Sequence, residues 1–155
     1  MPVTVRSLTI RAPAARVWAR LADVPRQPDW MHDLRTVELL DDGPLGVGTR
    51  AVGTVRMFGL SQVDPVEIDA FEPPRHLGLR HLGAFKGRGD LWVEPLPGGA
   101  TRVVWREELR ADAAALGLPA RLAPVFEALD PLLGPVFELT FRSDLRRLRD
   151  QLVER

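Results

Sequence analysis

The chain opens with VTVRSLTIR, an apolar–polar alternation rich in β-branched residues, which predicts a strand. In the next stretch, APAARVWARLAD, Ala14, Val17, Trp18 and Leu21 recur at i, i+3, i+4 and i+7, the mark of a helix with one buried face. Pro13 suits its first turn, and Pro25 and Pro28 restrict the next segment to a short second helical turn. RTVELLDDG then reads as a strand ending in a turn that PLGVG continues. TRAVGTVRMFG places Ala51, Gly53, Val55 and Met57 on one face. SQVDPVEIDAFEPP is a further strand, in which Pro65 marks a bulge or an edge position. RHLGLRHLG, GRGDLWVEP and TRVVWREEL complete a run of about seven strands, with LPGGA as the last hairpin turn. The alanine- and proline-rich RADAAALGLPARLAPVFEAL reads as a loop with short helices. A helix is then predicted from an Asp130 N-cap and Pro131 to about Val153, with Leu133, Phe137, Phe141, Leu145, Leu148 and Leu152 on one stripe and Arg142, Arg146 and Arg149 off it. Gly134-Pro135 should bend it near its start.

The order is therefore strand, two short helices, about six strands and one long helix: an α+β chain with a single antiparallel meander. One amphipathic helix cannot cover seven strands that lie flat, so the sheet must curl around it. Side chains of two such curved layers cannot meet everywhere, and the hollow left between them is a natural ligand pocket.

Composition narrows the chemistry. At 155 residues the chain is expected to form one domain, 1–155. Lys+Arg and Asp+Glu are both 21, so bulk charge gives no footing for nucleic acid. There is no cysteine, which removes thiolate catalysis, disulfides and zinc–thiolate sites. The opening residues do not read as a signal peptide, and no apolar run approaches a membrane span, so a cytoplasmic protein without stable membrane insertion is expected. GAFKGRG lacks the spacing of a phosphate loop; its glycines read as strand glycines that permit a bulge or tight curl. Ser7, Ser61 and Ser143 are the only serines and none lies in a nucleophile elbow.

Period-two alternation supplies the sharpest chemical idea. His76 and His81 lie on opposite faces of one predicted strand, which argues against a shared metal site. If Leu77 and Leu79 face inward, so does His81; if Val103 and Trp105 do, so does Glu107. A histidine and a glutamate would then meet in an apolar hollow, where a carboxylate is expensive to bury unless partnered. On the long helix, Thr140 and Asp144 beside Phe137 and Phe141 point to a wet cavity or a helix edge. His32 and Asp33, adjacent in RQPDWMHDL, should diverge and be solvated.

The segments IRAPAARVWARLADVPRQPDWM (10–31), GPLGVGTR (43–50), EPPRHLGLR (72–80) and EPLPGGATRVVWREEL (94–109), followed by the terminal helix, resemble the START-like (SRPBCC) superfamily in its bacterial polyketide cyclase/dehydrase-like branch. The resemblance implies a helix-grip fold: a seven-stranded antiparallel sheet curled around the long C-terminal helix, with an apolar cavity between them. It puts Trp30 and Met31 at the lid or wall of that cavity, with Trp30 alternatively a core plug. Val55, Met57, Ile68, Leu79 and Trp105 would line the sheet side, and Phe137, Thr140 and Phe141 the helix side. The superfamily's aromatic cyclases carry a polar, cationic pair where Val66 and Ile68 stand here, and this chain has no tyrosine, which counts against direct transfer of a cyclase mechanism. His81, Glu107 and Arg50 at the rim remain as candidate catalytic groups. The expected function is binding of an apolar small molecule (a lipid, polyketide or isoprenoid) without metal or organic cofactor. A cyclase or dehydratase using His81 and Glu107 is the alternative, and a ribosome- or protein-binding module the second.

Overall fold

The computed structural model describes residues 3–57 and 59–153, with Met57 described in its backbone alone. Its elements are β1 (Val3–Ile10), α1 (Ala14–Leu21), a 3-10 helix (Val24–Asp29), β2 (Leu34–Leu39), β3 (Arg50–Met57), β4 (Leu60–Glu72), β5 (His76–Leu82), β6 (Phe85–Pro95), β7 (Thr101–Ala111) and α2 (Ala123–Val153). The second short helix is 3-10, begun by the i→i+3 bond from the Arg26 N–H to the Asp23 carbonyl; Pro25 lies in its first turn, where a missing N–H costs nothing, and Pro28 helps to keep it short. All seven strands form one antiparallel sheet in the order β1-β7-β6-β5-β4-β3-β2, so β2 to β7 are a meander and β1 closes onto the free side of β7. This is the expected helix-grip architecture.

Two local expectations differ. Pro65 lies on an interior strand, opposite Val52, and the irregularity in β4 falls between Ile68 and Ala70 instead. Proline is accommodated there because the ladder with β5 begins only at Val66, opposite His81. The long helix starts at Ala123 rather than at Asp130–Pro131, giving 31 residues, about 46 Å. Its first turn contains Pro124, where a missing N–H costs nothing. Pro131 and Pro135 interrupt the ladder, but Glu127 and Pro131, whose carbonyls lose a donor, are exposed, so water can replace it and the helix runs on.

The C-terminal half of α2 carries the buried stripe Phe137, Phe141, Leu145, Leu148 and Leu152, with Asp144 among them. It packs with Ile10, Val17, Leu21, Leu77, Val93 and Val103 into one core. No helix among the described residues is long and apolar enough to cross a membrane.

Candidate functional site

Between the curled sheet and α2 lies a cavity of about 150 Å³, open on one side. Inward-facing residues of β2 to β7 line it: Leu34 and Val37, Val55, Val66, Leu77 and Leu79, Phe85 and Leu91, Trp105 and Leu109. Phe137, Thr140 and Phe141 of α2 form the opposite wall, with Val24, Gln27 and Met31 at the 3-10 helix. Trp105 stacks on Phe141 with ring centroids 4.2 Å apart, and Phe141 stacks in turn on Phe137 at 6.1 Å. These aromatic faces form a continuous apolar stretch of the wall.

At one point the wall is charged. His81 Nδ1 lies 2.9 Å from Asp64 Oδ2, and His81 Nε2 lies 3.4 Å from Glu107 Oε1. The meeting of His81 with Glu107 is as alternation implies, but the two residues sit on β5 and β7, with all of β6 between them. Strands are about 4.8 Å apart, so two side chains separated by a strand ordinarily do not touch. Here β6 presents only glycine: Gly87 stands opposite His81, and Gly89 opposite Glu107. A Cβ on Gly89 would come within 2.5 Å of Glu107 Oε2. The glycines of GRG thus leave the gap through which the imidazole and the carboxylate approach.

The contact at 3.4 Å is a long ion pair rather than a formed hydrogen bond, and both His81 Nε2 and Glu107 Oε2 are buried without a hydrogen-bond partner. Burial pulls the imidazole pKa down, but the hydrogen bond to Asp64 and the interaction with Glu107, reinforced by both charges, outweigh it and raise the value to about 10. His81 is therefore an imidazolium at neutral pH. Among the described residues no group of three or more His, Asp or Glu is disposed to hold a metal ion. Asp64 and Glu107 illustrate why: they face opposite nitrogens of one ring and do not converge on a common point.

A second polar group stands in the cavity wall. Asp144, nearly fully buried, accepts the His32 backbone N–H at 2.8 Å. Burial raises its pKa to about 6, partly opposed by that N–H and reinforced by Asp33. His32 and Asp33 are thus not simply solvated. The His32 ring is exposed and receives a hydrogen bond from Arg147 at 3.3 Å, while its backbone anchors α2 and Asp33 lines the cavity. Asp144→Asn keeps an acceptor for His32 and removes the buried charge. Because the folded pKa lies above the ordinary 3.8, the wild type loses stability as pH rises through about 4 to 6. The variant is expected to be more stable by about 1–3 kcal/mol at pH 7.5, with most of that gain gone at pH 4, as read by urea melts at both values.

Of the residues expected to meet a ligand, Met31, Val55, Leu79, His81, Trp105, Phe137, Thr140 and Phe141 line the cavity together. Trp30 does not: it is fully buried behind the wall, edge-on to Trp105 at 5.8 Å, and is the core plug. Ile68 is likewise core: it is buried and stands outside the cavity wall, two residues beyond Val66, which lines it. The Met57 side chain lies outside the described residues. Arg50 is exposed and held by Asp41 at 2.9 Å, away from the cavity. Asp64 was not anticipated, although alternation offered it: Val66 and Ile68 inward imply Asp64 inward two residues earlier.

No curated protein matches this sequence. Several solved structures share the fold. A Deinococcus radiodurans protein is 25% identical, with a TM-score of 0.68 over 97% of this chain and 96% of its own. A Thermus thermophilus protein is 18% identical, with a TM-score of 0.78 over 99% and 98%. The Zhui aromatase/cyclase from a Streptomyces species is 22% identical, with a TM-score of 0.76 over 97% and 93%. The profile of one family spans residues 1–153. A curled sheet gripping a long helix over an apolar cavity, matched along its whole length, places the chain in the polyketide cyclase/dehydrase and lipid transport family.

Proposed function

We propose that this chain binds an apolar small molecule of lipid, polyketide or isoprenoid type in the cavity between its sheet and α2. The observation that carries the reading is the cavity itself: about 150 Å³, with walls that are apolar and aromatic over most of their extent. A cavity of this volume accommodates a benzene-sized group, and its open side leaves room for a longer body. Affinity comes mainly from buried apolar surface, at roughly 25 cal/mol per Å². In this reading residues 1–155 act as one domain in the cytoplasm, and no metal or organic cofactor takes part.

Native mass spectrometry of freshly purified protein, with extraction of any bound molecule, tests it. A stoichiometric apolar adduct is expected, and Leu79→Trp, which fills the cavity from β5, is expected to abolish it while the protein stays folded. Failure of the wild type to carry an adduct or to bind any of a panel of lipids and aromatic polyketides would sink the reading.

One observation favours a second reading, a cyclase or dehydratase: His81 and Glu107 do meet in the cavity. A general base should have a pKa near the working pH, and an imidazolium raised to about 10 is a poor one. It could serve only as a proton donor or as a stabiliser of developing oxyanion charge. The enzyme reading requires His81→Gln to abolish turnover while ligand binding persists.

A further inference from the structure

Resting on the ligand-binding reading, we infer that the ligand carries a hydroxyl group, alcoholic or phenolic, that lies between His81 Nε2 and Glu107 Oε2. These two atoms, on side chains that are each nine-tenths buried, have no hydrogen-bond partner. An orphaned buried donor or acceptor is costly, and here one of each sits side by side in the cavity wall. The cavity's other polar side chains, Asp33 apart, are already engaged within the protein. The Thr140 hydroxyl donates to the Val136 carbonyl at 3.1 Å, the Gln27 amide to the Leu21 carbonyl at 3.1 Å, and Asp144 accepts the His32 N–H.

The two orphans select among head groups. A hydroxyl donates to Oε2 and accepts from the Nε2 proton, so one group satisfies both. A carboxylate or phosphate could accept from Nε2 but would face the Glu107 carboxylate. It would also enter a wall containing Asp33, Asp64 and Asp144 and no lysine or arginine. An ammonium would pair with Glu107 but bring a second cation against the imidazolium and leave Nε2 unmet. A plain hydrocarbon leaves both atoms as they are. The charge count agrees: two carboxylates flank one imidazolium, so the cluster is anionic by one charge and favours a donor over an anion.

Four probes on one skeleton test this at pH 7: naphthalene, 2-naphthol, 2-naphthoate and 2-naphthylmethylammonium, each measured by equilibrium dialysis. The naphthol is expected to bind roughly 10- to 100-fold more tightly than naphthalene, the range of a hydrogen bond to a charged group, and more tightly than either ion. In the triple variant Asp64→Leu/His81→Leu/Glu107→Leu, which removes the whole cluster and leaves no lone charge, that preference should vanish while naphthalene still binds. Equal binding of naphthol and naphthalene to the wild type would overturn the hydroxyl inference and leave the apolar cavity standing. A naphthol preference that survives in the triple variant would overturn it too, since the head group would sit elsewhere. Binding of none of the four would take down the ligand-binding reading with it.

Discussion

His81→Leu is expected to destabilise the protein by about 3–5 kcal/mol at pH 7, because removing one partner of a buried ion cluster strands the others. Asp64 and Glu107 would then face a cavity wall with no cation between them. The wild type should show a pH dependence of its own. His81 is raised from 6.5 to about 10 in the folded protein, so its contribution is fully present below pH 6.5 and is lost as pH climbs toward 10. Replacing all three residues with leucine should cost far less than replacing His81 alone, since apolar substitution of an entire buried cluster is often neutral. Urea unfolding of both variants at pH 5, 7 and 9 measures this. A single variant within about 1 kcal/mol of wild type at pH 7 would mean that the cluster is not buried as described.

Gly87→Ala should be worse still. Gly87 has φ of +135°, and a Cβ there would lie 1.8 Å from the Glu108 carbonyl oxygen on β7. The clash is backbone against backbone across a hydrogen-bonded ladder, so no side-chain rotation relieves it. A loss above about 4 kcal/mol, or failure to fold, is expected, in the exceptional tail of single-substitution effects. Gly89→Ala is the informative comparison: the three atoms nearest its Cβ all belong to the Glu107 carboxylate, the end of a side chain that can be pushed aside. It should stay folded but separate Glu107 from His81. Circular dichroism and thermal melts of the two variants distinguish these outcomes, and equal stability of both would refute the account of β6.

Much of this arrangement was legible in the sequence. Alternation alone put His81, Trp105 and Glu107 on one face, and the leucine–phenylalanine stripe identified the working side of α2. The same rule would have delivered Asp64 had it been carried two residues back from Val66. Other features were not legible because they depend on what an element packs against. Trp30 and Met31 are adjacent and both large and apolar, yet one is core and the other cavity wall. Asp144 reads as a polar residue at a helix edge, and only the tertiary fold brings the His32 amide to it. The start of α2 is not legible because Asp130–Pro131 suits a helix beginning, whereas the exposed position of Pro131 makes it tolerable inside one.

The pairing of β1 with β7, from Val3 opposite Glu108 to Ile10 opposite Thr101, spans roughly a hundred residues of chain. Every other strand pairing joins neighbours in the sequence. Closure of this one long loop therefore sets the pace of folding, which should fall in the millisecond-to-second range of β-rich topologies. During synthesis at about 5–20 residues per second, β1 waits roughly 5–20 s for its partner to emerge, with the apolar concave face of the meander uncovered. The helix that roofs the cavity is made later still. A nascent chain of this protein is thus most prone to aggregate in the interval between the appearance of β4 and that of α2, and a ligand can assist folding only after nearly the whole chain has been made.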